Sequence, residues 1–288
     1  MTRNAVFTAR ALRALVLPLT LLGATAYAAD DAALQAEGTV DAALQAAVAS
    51  PTRTPANVAR DPARHPAQTL AFFGIKPDQT VVELVPGNGW YTEILAPYLR
   101  AHGQLIEAGS DPEASSEDAR RGAAKFKAWL DAKPQLYDRV RLGVFDARNG
   151  RFDLGRPGAA DLVLTFRNVH NWAALGDAQT RAAFKAMFDA LKPGGVLGVV
   201  DHRLPPDREQ DAKASTGYLH ESYVIAMAES AGFKLAARAE INANPKDHAD
   251  HPGGVWALPP SFEHGDQDRA KYEAIGESDR MTLKFVKP

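Results

Sequence analysis

Val81-Val-Glu-Leu-Val-Pro-Gly-Asn-Gly-Trp-Tyr91 runs from an apolar strand, through an acid, into a turn built on Gly87 and Gly89. A helical pattern over residues 92–99 follows at once. Strand, acid, glycine turn and helix in this order are what a parallel sheet uses to receive a nucleotide-like ligand. The glycines let backbone approach the ligand, and free N–H groups at the helix start can meet its polar atoms. The G-x-G-x-x-G of nicotinamide-binding proteins is absent, because Thr92 stands where the third glycine is required. Glu83, ahead of the turn, suits donors on a cationic or hydroxyl-bearing ligand.

Outward from this stretch, apolar segments recur at 104–108, 140–144, 161–166 and 196–200, with helical patterns at 67–73, 113–130, 173–191 and 216–231 between or before them. The alternation predicts parallel strands covered by helices on both faces, an α/β architecture. Lys192-Pro-Gly-Gly195 is expected to end one helix and turn into a strand. Two more strands are expected at 234–241 and 281–286. Between them, residues 242–280 are rich in Pro, Asp, His and Gly, and form an insertion that begins at the ligand edge of the sheet. A covering lid and a disordered surface excursion are both compatible with such a stretch.

The N-terminus reads as a targeting segment. Arg3, Arg10 and Arg13 precede a short apolar run, and Ala26-Tyr-Ala28 offers a cleavage site, so residues 1–28 are expected to be a signal peptide. The run is too short for a stable membrane span. Periplasmic or secreted localisation follows, and the absence of cysteine excludes disulfides, thiol catalysis and cysteine-bound metal. Loss of three arginines and no acids would take the formal charge from -2 to -5, which gives no general affinity for nucleic acid. Residues 29–56 carry two Asp-Ala-Ala-Leu-Gln-Ala copies and are expected to be helical or flexible, without a catalytic role.

In order along residues 57–288, the chain resembles the class I S-adenosylmethionine-dependent methyltransferases, and particularly their exported members. The resemblance rests on the stretch from Val81, Gly-Val-Phe-Asp from Gly143, and Thr-Phe-Arg-Asn-Val-His-Asn-Trp from Thr165. Leu-Lys-Pro-Gly-Gly from Leu191 and Arg-Met-Thr-Leu-Lys-Phe-Val-Lys-Pro from Arg280 complete it. It implies a Rossmann-like, seven-stranded, mostly parallel sheet with a reversed last strand, and S-adenosylmethionine at its carboxyl edge. Glu83, Gly87 and Gly89 fall on the family's first acid and glycine turn, but Val85 stands where many members have another glycine. The ribose acid would fall near Gly109, so Glu107 or Asp111 is expected to replace it. Asp146 matches the acid that accepts the adenine amino group, Phe145 is placed to cover the ring, and Trp90 and Tyr91 are placed to shape the methionine and acceptor sides.

The acceptor side is read from polar residues at strand ends. Arg167, Asn168 and His170 follow one apolar run, Asp201 and Arg203 follow the next, and Tyr218 and His220 precede a helix. Arg167 or Arg203 would match an anionic group on a small polar substrate. His170 is the first choice for a base, with Asp201 and Tyr218 after it. Asp247-His248 and Asp250-His251 lack the spacing and helical support of a metal site, so no metal is expected. No G-x-S-x-G elbow is present. Methyl transfer to a small acceptor is the leading function, and a non-catalytic periplasmic ligand-binding or interaction module on the same fold is the alternative.

Overall fold

A computed structural model describes residues 1–2 and 40–288. The body of the expected signal peptide and the 29–39 stretch lie outside the described residues. The strands are β1 (Thr80–Leu84), β2 (Gln104–Gly109), β3 (Arg141–Asp146), β4 (Arg151–Asp153), β5 (Ala160–Phe166), β6 (Leu191–His202), β7 (Lys234–Ala239) and β8 (Arg280–Val286). They form one sheet in the order β4-β3-β2-β1-β5-β6-β8-β7. The pairs β3-β2, β2-β1, β1-β5 and β5-β6 are parallel, whereas β8 runs antiparallel to both β6 and β7. All seven expected strands are present, the last of them reversed. The short β4 adds an eighth, antiparallel to β3 at the edge.

Alternate residues on the strands feed two apolar layers. Val82, Ile106, Val163 and Leu197 join the core on one face, and Val81, Leu105, Leu162 and Leu164 join that on the other. Both faces are covered, so the strands read as continuous apolar runs rather than alternating ones. Gly198 lets the helix Pro66–Phe73 approach the sheet: a Cβ there would lie 2.6 Å from the Phe73 ring. The helix Ala42–Val48 contributes Leu44 and Ala47 to this same layer, so the described part of the N-terminal segment shares the core.

Helix boundaries differ from the sequence pattern for local reasons. The 113–130 pattern becomes the helix Glu117–Asp131, because the Ser116 side chain accepts from Ala119 N–H and caps its start. The 173–191 pattern becomes the helix Asp177–Ala190, which Gly176, with φ of 112°, separates from a preceding short helix, Val169–Ala173. The helix expected from residue 216 begins at Glu221. β6 takes over directly after Ala190, with the Lys192–Gly195 turn inside its irregular first part.

The chain leaves β1 through Val85 and β5 through Arg167, both in left-handed backbone with φ of 49° and 61°. For a β-branched residue this is a strained state, and Val85 occupies the position where the family pattern has glycine. Val85 is 37% exposed, so little packing is lost on truncation. Val85→Gly should therefore raise stability by about 1 kcal/mol in urea unfolding, the relief of strain exceeding the added entropy of the unfolded chain. Unchanged or reduced stability would show that this turn stores no strain.

Candidate functional site

Two cavities lie along the carboxyl edge of the strands. The larger, of about 1170 Å³, is walled by the Val85–Asn88 turn, the end of β2 and the helix Glu117–Asp131. Gly87 has open space around its missing Cβ, and its N–H and that of Asn88 donate to no group among the described residues. Gly89, with φ of 78°, lies under the Trp129 ring, where a Cβ would come within 2.6 Å. These two positions thus admit glycine for different reasons: one leaves room for a ligand, the other for an indole.

Glu107 is fully buried on the wall of this cavity, and neither carboxylate oxygen has a hydrogen-bond partner among the described residues. It stands directly beside Glu83 in the parallel β1-β2 register, so both side chains project from the same face. Glu83 accepts from Thr92 Oγ1 at 3.1 Å. Burial pushes the Glu83 carboxyl up from 4.5 to about 7. Burial, and then the neighbouring charge of Glu83, pushes Glu107 well above its ordinary value. Glu107 is thus paired with Glu83 inside the sheet, whereas Asp111 is held at the cavity rim. Asp111 is buried in an ion pair with Arg151 at 2.7 Å and also accepts from Glu113 N–H.

The smaller cavity, of about 320 Å³, gathers Arg167, His170 and His202 with Arg60, Arg64 and Trp256. Asp201 is buried behind it at the end of β6. His170 Nδ1–H donates to Asp201 Oδ1 at 2.8 Å, and His170 N–H donates to Oδ2 at 3.2 Å. A carboxylate only accepts, so in neutral His170 the bare nitrogen is Nε2, on a residue that lines the cavity. His202 Nδ1 is 2.5 Å from Ser278 Oγ. Burial, followed by His170, Arg280 and Arg64, holds the His202 imidazole well below its ordinary range.

The remaining expected site residues are engaged elsewhere. Trp90 Nε1 donates to the Asn57 carbonyl at 3.0 Å, and its ring is covered by Arg64, 4.7 Å from the centroid. Tyr91 stacks on Phe166 at 3.6 Å. Phe145 packs between Phe152 and Trp172 in the core. Asp146 ends β3 and accepts from the Asn149 backbone and side chain at 3.1 and 2.7 Å. Asn168 donates to the Leu84 carbonyl. Arg203 is held by Asp279 and Glu240, and the His220 ring donates to the Arg208 carbonyl. Tyr218 is not available as a base: its hydroxyl donates to Asp247 at 2.8 Å, and burial and that charge push its pKa far up.

The insertion is ordered around that last contact. Asp247 also accepts from Asp279 N–H at 2.8 Å, and a 3-10 turn, Gly254–Ala257, carries Trp256 to the cavity. Asp247 and His251 therefore serve a buried hydrogen-bond cluster with Tyr218. Arg60 and Arg64 carried no signal beyond an i, i+4 spacing in the segment ahead of the first strand. Their role emerges from Glu277, more than two hundred residues later, to which both donate.

No protein-family model matches the sequence, and no curated protein matches it. Solved structures do. A SAM-dependent methyltransferase from Aquifex aeolicus superposes with a TM-score of 0.52 at 14% identity, covering 80% of this chain and 93% of that one. The [4+2]-cyclase SpnF superposes with a TM-score of 0.53 at 16% identity, covering 78% and 80%. At such identities the likeness is one of fold. The chain has the fold of the class I S-adenosylmethionine-dependent methyltransferases.

The carboxylate pair sets a pH dependence whose sign is fixed. Both folded-state pKa values lie above the unfolded ones, so the stabilising contribution is complete below pH 4.5; the part from Glu83 is lost as pH rises through about 7, and the part from Glu107 as pH rises through its own raised value. Glu107→Gln removes the group whose ionisation is opposed by burial and by Glu83. It should raise the urea midpoint at pH 8 and flatten the decline between pH 5 and 8. A slope equal to that of the unaltered protein would show that the pair does not control it.

Proposed function

We propose that the chain is an S-adenosylmethionine-dependent methyltransferase acting on a small polar acceptor. The observation that carries this reading is a cavity of about 1170 Å³ at the carboxyl edge of the sheet, beside a glycine turn with free N–H groups and a close pair of buried acids, Glu83 and Glu107. Ligand hydroxyls reaching Glu107 would stabilise its charged form against the neighbouring charge of Glu83. The residues present thus fit the cofactor. Glu107 would take the ribose hydroxyls and the Gly87–Gly89 turn would admit the methionine portion, whereas Asp146, off the cavity wall, would have to exchange its Asn149 bonds to accept from the adenine amino group. Glu83 would support the turn through Thr92 rather than touch the ligand. Trp90, Phe145 and Asp111 are engaged in packing or an ion pair and are assigned no direct contact.

When bound, the cofactor supplies an electrophilic methyl group on a sulfonium whose bonding pair departs with sulfur. The protein's own task is alignment of the acceptor and removal of its proton. His170 Nε2 would take the proton from an acceptor O–H or N–H, and Asp201 would hold the ring in the required tautomer and stabilise the imidazolium formed. Export through the 1–28 leader belongs to the same proposal and rests on the leader sequence. The fold does not by itself select methyl transfer, since a [4+2]-cyclase shares it. A binding module without turnover is therefore the competing reading.

Calorimetry with S-adenosylmethionine and its demethylated product separates these readings. Saturable binding is expected, weakened at least tenfold in Glu107→Ala. No binding to folded protein would overturn the cofactor assignment. His170→Ala should retain cofactor affinity while lowering turnover by about 10²–10⁴-fold against a panel of small acceptors. Full turnover in that variant would remove His170 as the base. Cofactor binding with no consumption across the panel would favour the binding module.

A further inference from the structure

The smaller cavity carries more positive charge than its carboxylates answer. Arg60 Nε and Arg64 Nε donate to the two oxygens of Glu277 at 2.7 and 3.1 Å, and Arg280 Nη1 shares the second at 3.0 Å. Three guanidiniums thus meet one carboxylate. Arg64 Nη1 and Arg280 Nε remain buried without any hydrogen-bond partner. Arg64 is only 2% exposed and lines the cavity. A buried donor left unpaired costs about 1–3 kcal/mol, and more when charged. Burial, with Arg60 and Arg280 working against the attraction of Glu277, brings the Arg64 guanidinium down to about 10. The cluster is short of negative charge.

Arg167 lies on the same cavity, and its guanidinium makes no hydrogen bond or ion pair among the described residues. Its backbone sits at φ 61°, a conformation that costs an arginine about 1–2 kcal/mol and that glycine would adopt freely. Strain of this kind persists where a side chain serves a ligand. A metal ion is the other occupant to weigh, because donor atoms of His170, Asp201 and His202 lie within 4.8 Å of one another. However, His170 and Asp201 are already bonded to each other, and the nearby guanidiniums repel a divalent cation. An anion relieves the same guanidiniums.

We infer that this cavity binds the carboxylate of a small organic acid through Arg167, with the unpaired guanidinium of Arg64 behind it adding positive charge, and that the acid is the methyl acceptor. The second clause rests on the methyltransferase reading, whereas the anion site does not. Planar guanidiniums match a carboxylate in two parallel hydrogen bonds. Val255, Trp256 and Pro259 offer apolar wall to the carbon skeleton, and the Trp256 ring lies 6.2 Å from that of His170. A volume of about 320 Å³ suits a small molecule rather than a polymer.

The test is direct binding to the purified protein without cofactor, at constant ionic strength, with acetate, benzoate, benzamide and inorganic phosphate as probes. A carboxylate should bind saturably and at least tenfold more tightly than benzamide. Arg167→Gly keeps the left-handed backbone while removing the guanidinium, so it should lose at least tenfold in carboxylate affinity without a fall in melting temperature. Carboxylates binding no better than the amide, or unchanged affinity in Arg167→Gly, would overturn the inference. Phosphate binding more tightly than every carboxylate would overturn the carboxylate assignment in favour of a phosphate ester. Carboxylate binding in a protein that does not bind S-adenosylmethionine would leave the anion site standing and defeat the methyltransferase reading. The reverse pattern would defeat the site alone.

Discussion

Asn168 Nδ2 donates to the Leu84 carbonyl at 3.1 Å and to Thr165 Oγ1 at 3.2 Å, tying the end of β1 to the end of β5. These two strands are neighbours at the place where the sheet order reverses, with β2 and β3 to one side and β6 to the other. Connections leave this point in opposite directions, and the crevice between them is where open sheets receive ligands. The bond is buried, and it limits how far the two strand ends can separate. Val85 and Arg167 turn away immediately beyond them, each in left-handed backbone. The larger cavity begins with one of these residues and the smaller includes the other.

The buried ionisable groups on the two sides obey different logics. Asp201 receives three donors, from the His170 ring, the His170 backbone and the His202 backbone, so its charge is compensated within the protein. Such a network fixes ring orientation and tautomer. Glu107 is pressed against a second acid, Glu83, and the arginines around Glu277 have too few acceptors. Satisfied groups set geometry, whereas unsatisfied ones leave interaction energy to be recovered from a ligand. The groups are of opposite kinds: a crowded pair of acids beside the larger cavity and a surplus of guanidiniums at the smaller.

Much of the fold was legible in the chain because its signals are local. Val81, Val82 and Leu84 need a sheet with two covered faces, and Gly87 with Gly89 needs a turn after it. The short β4 was missed because three residues, Arg151-Phe-Asp153, carry no periodic pattern. His170 and Asp201 were each legible from their places after apolar runs, and the hydrogen bond between them follows from the adjacency of β5 and β6. Tyr218 and Arg203 looked equally suitable by the same rule. They are drawn away by Asp247, Glu240 and Asp279, acids from the far end of the chain.

Strand positions along the chain, the glycine turn and the places of polar residues at strand ends are set by side-chain periodicity and backbone sterics, which act over a few residues and can be read in order along the chain. Whether a given acid or base is free cannot be read in that way. The pairing of Asp111 with Arg151, the convergence of Arg60 and Arg64 on Glu277, and the crowding of Glu107 against Glu83 depend on contacts across tens to hundreds of residues. Electrostatic and hydrogen-bond partners are chosen by distance in space. The folded sheet therefore decides which of several similar polar residues remain open to chemistry.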